Sequence, residues 1–550
     1  MTGGPAGAAG GPGADGPGQG ADGPGQGGDA ARGAAEGTGA PTPGAPKAAE
    51  LWLLAAAFFI AAAGLTYELI AAASASYLIG DSIAQFSLVI GVFLSSMGLG
   101  AWASRHVSDP ARGFVSAQLA LGVLGGFSAP ALFFSYAYLD AVRPVLFTAL
   151  IAIGALAGAE IPLIARLLEK SGARHRFENV LTFDYAGALA ASVLFPLAVV
   201  PMLGLMAASL AFGLMNVAVG AASIVALRPR GTRGLAVGAA VSAALLVGGL
   251  GLSDRFVSAL DAQMFEDEVI LAEDTAHQRV VVTRFRDRTR LFLNGSIQFD
   301  SLDEHRYHEA LVHPAMSRAA SRKRVLILGG GDGMAAREVL RWPEVEAVVL
   351  VDLDPRVTEI FAARDDLAAL NGGSLRNPRL TVVNQDAWAF AQESGEGFDV
   401  IIGDLPDPRT HILSKLYSLE FYAILMERLR PGGVFTTQAG SPVFAREAFW
   451  CVAETLAQTR NPYAPEGALS VLPYHVYTPS FGDWGFVMAS PRARPPLGAL
   501  PDGLKFLTPG VWAGAAAFGK DAGPVEVPAN SIKDHPLVRY YENGWDRWFR

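Results

Sequence analysis

Across 550 residues there is one cysteine, Cys451. That excludes an intrachain disulfide framework and a thiolate cluster for zinc, and it agrees with a reducing compartment for the part that carries it. Positive charge is short as well: the net charge is −9, so the overall field offers nucleic acid no hold, and no nucleic-acid partner is expected. HExxH spacing is missing, so His305, His308 and His313 suggest no metal site and none is expected. A basic start followed by an apolar core and a cleavage site is also missing, which argues against a secretory signal. Residues 1–47 hold mostly Gly, Ala and Pro, with "GADGPGQ" in tandem, and have little to bury. They are expected to be a disordered tail.

What the chain has in abundance is apolar surface, 51% of its residues, and it is concentrated in residues 48–254. Seven candidate spans lie near 51–73, 84–103, 115–138, 145–168, 181–200, 203–227 and 234–252. Each has the roughly 17 to 25 residues that a bilayer-crossing helix needs. A multi-pass helical bundle of about seven spans is therefore expected, with the lipid bilayer as partner and the cell membrane as location. The links after spans two, four and six carry Arg105, Arg112, Arg166, Lys170, Arg174, Arg176, Arg228, Arg230 and Arg233, whereas the other links offer Arg143 alone. By the positive-inside rule the N-terminus is cytoplasmic, and seven spans would put the following domain outside. Glu68, Glu160 and Asp184 lie within the spans, where acids often mark a cation or proton path.

The rest reads as a small β domain, 262–300, with an Asn294–Gly295 turn, and an α/β domain, 301–550. From Arg324 strands and helices alternate, which predicts a Rossmann-like, doubly wound parallel sheet with its ligand at the carboxyl ends of the strands. "LILGGGDGMAAREVL" (Leu326–Leu340) joins a strand to a helix through Gly329, Gly330, Gly331 and Gly333. Asp352 ends the next strand, where an acid commonly accepts ribose hydroxyls, and Asp386 ends the third. Together they indicate a nucleoside site. Asp332 within the glycine turn would repel phosphate and attract a cation. It favours a nucleoside carrying positive charge, a sulfonium or amine, over NAD or ATP. Asp404 and Asp407 close the fourth strand in "IIGDLPDPRT". A neutral amine attacking the methylene beside a sulfonium must shed a proton, and Asp404 is placed to take it. Helix capping and turn formation are the plainer uses of such acids, and they suit Asp407 before Pro408.

At these residues the sequence resembles the spermidine synthase (polyamine aminopropyltransferase) family, from about Glu273 to Asn543. The resemblance implies decarboxylated S-adenosylmethionine as co-substrate, with no permanently bound cofactor. It assigns Asp332 to the aminopropyl amine, Asp352 to ribose, Asp386 and Ala387 to adenine, and Gln278 to the methylthioadenosine moiety. Gly329 and Gly331 belong to the same cofactor loop. Tyr307, His308, Asp407 and Gln438 would face the polyamine, and Asp404 would be the catalytic base. The acceptor implied is putrescine, the assembly a homodimer or homotetramer, and the catalytic domain cytoplasmic. Departures from the family occur after Asp407, in "PRTHILSKLYS", and at "YHVYTPSFGDWGF", where Tyr477, Phe481 and Trp484 are the aromatics on offer. Two other functions fit parts of the pattern: a methyltransferase on the same fold, which Asp332 disfavours, and a membrane polyamine transporter or sensor with a binding-only domain.

Overall fold

A computed structural model describes residues 48–549 apart from 80–82, 140, 174–176, 266, 276, 394, 465 and 493–495. The expected disordered tail, 1–47, and the linker residues Arg174 and Arg176 lie outside the described residues.

The first half is helical: α1 (Ala48–Ile79), α2 (Ile83–Ser104), α3 (Pro110–Gly126), α4 (Ser128–Tyr138), α5 (Val142–Lys170), α6 (Phe177–Leu194), α7 (Val200–Leu227) and α8 (Thr232–Met264). α3 begins where sequence dictates: Asp109 accepts from the N–H groups of Ala111 and Arg112 at 3.2 and 3.4 Å, and Pro110 occupies the first turn. Phe127 divides the third apolar stretch into α3 and α4.

Among the described residues six stretches are long and apolar enough to cross a membrane, and one of them, Phe177–Leu227, runs for 51 residues. At about 1.5 Å per residue that is more than twice a hydrocarbon thickness. It is two helices. α6 ends in a π-helical turn, Phe195–Val199, and Gly204 breaks the following helix at φ 69°, ψ 172°. Packing against α1 reveals the reversal. Phe58 meets Gly187 and Ile70 clusters with Phe195, so α6 runs parallel to α1. Trp52 Nε1 donates to Ser223 Oγ at 2.9 Å and Asn216 Nδ2 to the Tyr67 hydroxyl at 3.3 Å, so α7 runs antiparallel. By the same reading α5 opposes α1, α3 opposes α7, and α8 opposes α7. Counting α3 and α4 as one, seven stretches alternate in direction.

The second half opens with an antiparallel sheet of β1 (Glu268–Asp274), β2 (Arg279–Phe285), β3 (Arg288–Leu293) and β4 (Ser296–Asp300), in sequential order. Asn294 and Gly295 both hold positive φ, 48° and 76°, the pair that a tight hairpin matching strand twist requires. After it come α9 (Glu304–Arg318), β5 (Arg324–Gly329), α10 (Met334–Leu340), β6 (Ala347–Asp352), α11 (Pro355–Ala363), α12 (Asp365–Leu370), β7 (Leu380–Asn384), α13 (Ala387–Glu393) and β8 (Phe398–Asp404). The chain ends with α14 (His411–Ser414), α15 (Leu419–Arg428), β9 (Leu429–Gly440), α16 (Arg446–Gln458), β10 (Ser470–Thr478), β11 (Gly482–Ser490), α17 (Pro509–Gly514) and α18 (Pro536–Phe549).

These strands form one seven-stranded sheet in the order β10-β11-β9-β8-β5-β6-β7. β7, β6, β5, β8 and β9 are parallel, and β11 and β10 are antiparallel additions. Strands covered on both faces read as unbroken apolar runs, and β5 and β8 do: Val325–Leu328 and Phe398–Gly403 are buried. The strand order reverses between β5 and β8, which is where a doubly wound sheet opens a crevice at its carboxyl edge.

Candidate active site

Register puts the chemistry at that edge. Gly329 at the end of β5 pairs with Asp404 at the end of β8 in the parallel ladder. On the other side Asp352, ending β6, pairs with Asn384, two residues before Asp386. One row of strand ends thus presents Asp404, the glycine turn, Asp352 and Asp386.

The turn fits between the acids because it has no side chains. A Cβ on Gly329, itself at φ 81°, would overlap the Asp404 carbonyl oxygen. A Cβ on Gly331 would stand 2.6 Å from Asp352 Oδ2. Instead the Gly331 N–H donates to that oxygen at 2.9 Å, while Asp352 Oδ1 accepts from the Asp354 N–H at 2.9 Å. Burial and the neighbouring acids raise the Asp352 carboxyl, against the two N–H groups that hold it down. Each of its oxygens keeps lone-pair capacity for a hydroxyl.

Asp332 is buried at the mouth of α10, where Oδ1 accepts from the Met334 N–H at 2.9 Å. Burial lifts its carboxyl to about 6, with the Asp404 charge adding and His308 opposing. Asp404 is raised in the same way, by burial first. The Tyr307 hydroxyl donates to Asp404 Oδ1 at 2.8 Å and orients it. Tyr307 is itself enclosed by Phe486 and Phe481, ring centroids 5.3 and 5.9 Å away, and Phe481 leans on Trp484 at 5.1 Å. Tyr477 points elsewhere, 60% exposed.

His308 lies beneath this pair, its Nδ1 2.8 Å from Glu304 Oε2. Burial alone would lower its pKa. The hydrogen bond and charge of Glu304, with Asp404 and Asp332 behind, push it up to about 9. Glu304 moves to about 2, because His308 and Arg337 outweigh its burial. His308 thus lies within electrostatic reach of Asp332 and Asp404, with its Nδ1 engaged by Glu304.

Asp407 is raised by burial, and is held by Tyr541 (hydroxyl to Oδ2, 2.6 Å) and Gln438 (Nε2 to Oδ1, 3.3 Å), with Arg409 3.9 Å away. Gln438 Nε2 also reaches the Tyr417 hydroxyl at 2.7 Å, and its Oε1 accepts from the Gly440 N–H at 2.9 Å. Two expected ligand contacts have local duties in this structure. Asp386 Oδ1 caps α13 by accepting from the Trp388 and Ala389 N–H groups at 2.9 and 3.1 Å, and Oδ2 pairs with Lys415 at 3.1 Å. Those N–H groups and Lys415 hold it below the carboxylate range although burial opposes them. Ala387 follows as the first residue of α13. Gln278 Nε2 donates to Asp354 Oδ2 at 3.1 Å, tying the β1–β2 turn to the mouth of β6. Glu304, Tyr417 and Tyr541 were not among the residues the sequence singled out. Tyr541 lies 134 residues from its partner, too far for any local pattern to expose it.

A doubly wound sheet with a glycine turn, a hydroxyl-accepting acid at the β6 end and two buried carboxylates at the switch point defines a transferase that uses a nucleoside bearing positive charge. Comparison with known proteins gives the family. The spermine/spermidine synthase domain matches residues 304–495. A polyamine aminopropyltransferase of Ralstonia nicotianae is 44% identical over 90% of this chain and 98% of its own length. That of Leptospira interrogans is 41% identical over 89% and 97%, and that of Mycobacterium tuberculosis 38% over 90% and 96%. A solved spermidine synthase from Thermotoga maritima, 26% identical, covers 46% of this chain and 85% of that one with a TM-score of 0.40. The chain belongs to the spermine/spermidine synthase family, the polyamine aminopropyltransferases. The relatives match the helical half too, since they align over nearly their whole length.

Proposed function

We propose that the protein moves the aminopropyl group of decarboxylated S-adenosylmethionine to a diamine, putrescine in the first place, from a catalytic half anchored by seven membrane passes. Asp404 carries the reading: a buried carboxylate in ladder register with the glycine turn, oriented by Tyr307. The attacking nitrogen forms a bond to the methylene beside the sulfonium, and the sulfur–carbon bond breaks. Methylthioadenosine leaves as a neutral thioether, and the proton shed by nitrogen passes to Asp404. Amines of this type have a pKa of about 10, by analogy with lysine, so the nitrogen has a proton to shed, and a carboxylate raised by burial is the better acceptor for it. Asp332 holds the aminopropyl amine and Asp352 the ribose. Asp407, with Gln438 behind it, receives the far ammonium. The adenine lies along the Asp386–Ala387 turn, against its backbone, since the Asp386 side chain is engaged with α13 and Lys415.

The alternating helices support seven passes, and the co-substrate is a cytosolic metabolite, so the catalytic half is placed in the cytoplasm. The linker arginines pull the other way under the positive-inside rule. A dimer or tetramer is expected by family.

The test is turnover by the purified full chain with decarboxylated S-adenosylmethionine and a panel of diamines, reading methylthioadenosine and the new amine. Release should need both substrates and fall by about 10²- to 10⁴-fold in Asp404→Asn. Methyl transfer from S-adenosylmethionine instead would make the protein a methyltransferase. Saturable amine binding without turnover would make it a transporter or sensor.

A further inference from the structure

Outside the catalytic crevice, four of the polar side chains buried in the helical half come from four different helices: Tyr67 on α1, Gln118 on α3, Glu160 on α5 and Asn216 on α7. Their exposures are 1%, 0%, 4% and 0%. Gln118 Nε2 donates to Glu160 Oε1, and Asn216 Nδ2 donates to the Tyr67 hydroxyl at 3.3 Å. Each amide has spent an N–H, and each leaves its oxygen without a partner, Gln118 Oε1 and Asn216 Oδ1. Those oxygens belong to the side chains that touch Glu160 and Tyr67, and Tyr67 is itself within electrostatic reach of Glu160, which brings the two pairs together. Two orphaned carbonyl oxygens beside a carboxylate form a set of acceptors that wants a positive charge.

Among the described residues no cationic side chain pairs with Glu160. Arg166, less than two turns along α5 from Glu160, donates to the carbonyls of Ser104 and Val107 at 3.0 and 2.7 Å. A second acid, Asp184 on α6, is half-buried and within electrostatic reach of Glu160. The helices close tightly here: a Cβ on Gly122 would stand 2.7 Å from Val217 Cγ2, and one on Gly220 3.2 Å from Gln118 Cβ.

We infer that the helical half holds a binding site for a small monovalent cation, formed by Glu160, Gln118, Asn216 and Tyr67. The shared chemistry is one positive charge among oxygen acceptors, met by a sodium ion or by the head of a small primary ammonium. Acids at membrane depth commonly mark such sites. The inference goes beyond aminopropyl transfer and stands whichever amine the catalytic half accepts.

The experiment uses the full chain in lipid nanodiscs, with ²²Na⁺ and [¹⁴C]methylamine as separate probes in a scintillation proximity assay. Saturable retention of either probe, cut at least tenfold in Glu160→Gln and in Asn216→Leu while transferase turnover persists, supports the site and names its cation. Persisting turnover shows that the catalytic half is folded, and an unchanged melting temperature and elution volume of the full chain show that the helical half is. Retention of neither probe by the unaltered chain overturns the inference. So does retention that survives in both variants, or methylamine retention lost in Asp332→Asn and kept in Glu160→Gln, which would belong to the catalytic crevice.

Discussion

Asp332 and Asp404 are both buried, and burial raises both carboxyls, with the Asp404 charge adding to the shift at Asp332. The cationic His308 below them offsets part of that cost. The sign for catalysis follows. A carboxyl whose pKa is raised is protonated, and useless as a base, at pH values where an ordinary aspartate would be charged. The activity is present at higher pH and lost as pH falls through the raised values. The profile of kcat/KM should therefore show an acid limb near pH 6, the value that burial gives Asp332. In Asp332→Asn the residual activity should keep an acid limb shifted to lower pH, since Asp404 loses the negative charge that opposes its own. A limb that stays in place would show that the two acids titrate independently.

The element that brings these acids together is the β5–α10 turn. Gly331 touches Asp352 both ways, through the N–H bond that holds the carboxylate and the space that a methyl would take. Gly331→Ala should raise KM for the nucleoside co-substrate about tenfold, equivalent to about 1.4 kcal/mol, with a smaller change in kcat. Gly514→Ala, where nothing lies within 4 Å, should change neither. Steady-state kinetics with the amine saturating would decide. This turn was also the most legible part of the sequence, for a physical reason. Strands buried on both faces, a glycine turn and a following helix are all local patterns, and the acids fall at predictable strand ends. What stayed hidden depends on contacts across the chain. Lys415 reaches Asp386 from 29 residues along the chain. Tyr541 arrives from the last helix to hold Asp407, and no spacing in the sequence announces it.

At the scale of the whole molecule the deciding feature is the reversal between α6 and α7. With it, the α2–α3 linker and the catalytic half lie on opposite faces of whatever the helices cross; without it, on the same face. By length and composition the stretch is continuous for 51 residues, and the packing of both helices on α1 gives the reversal between the two spans that the sequence separates at 200–203. The chain is suited to a direct test, because its one cysteine, Cys451, is fully buried and burial pushes its thiol up to about 12. A thiol that stays protonated and enclosed does not react. Cysteines placed at exposed Ser108, in the α2–α3 linker, and Glu466, between α16 and β10, can therefore be read one at a time with a membrane-impermeant maleimide. If the catalytic half is cytoplasmic, Ser108→Cys should label in intact cells and Glu466→Cys after permeabilisation alone. The inverse pattern would keep seven passes and put the catalytic half outside, as the linker arginines ask, and the nucleoside would then have to be supplied there. Labelling of both from the same side would mean an even number of crossings, with one of the seven stretches not crossing.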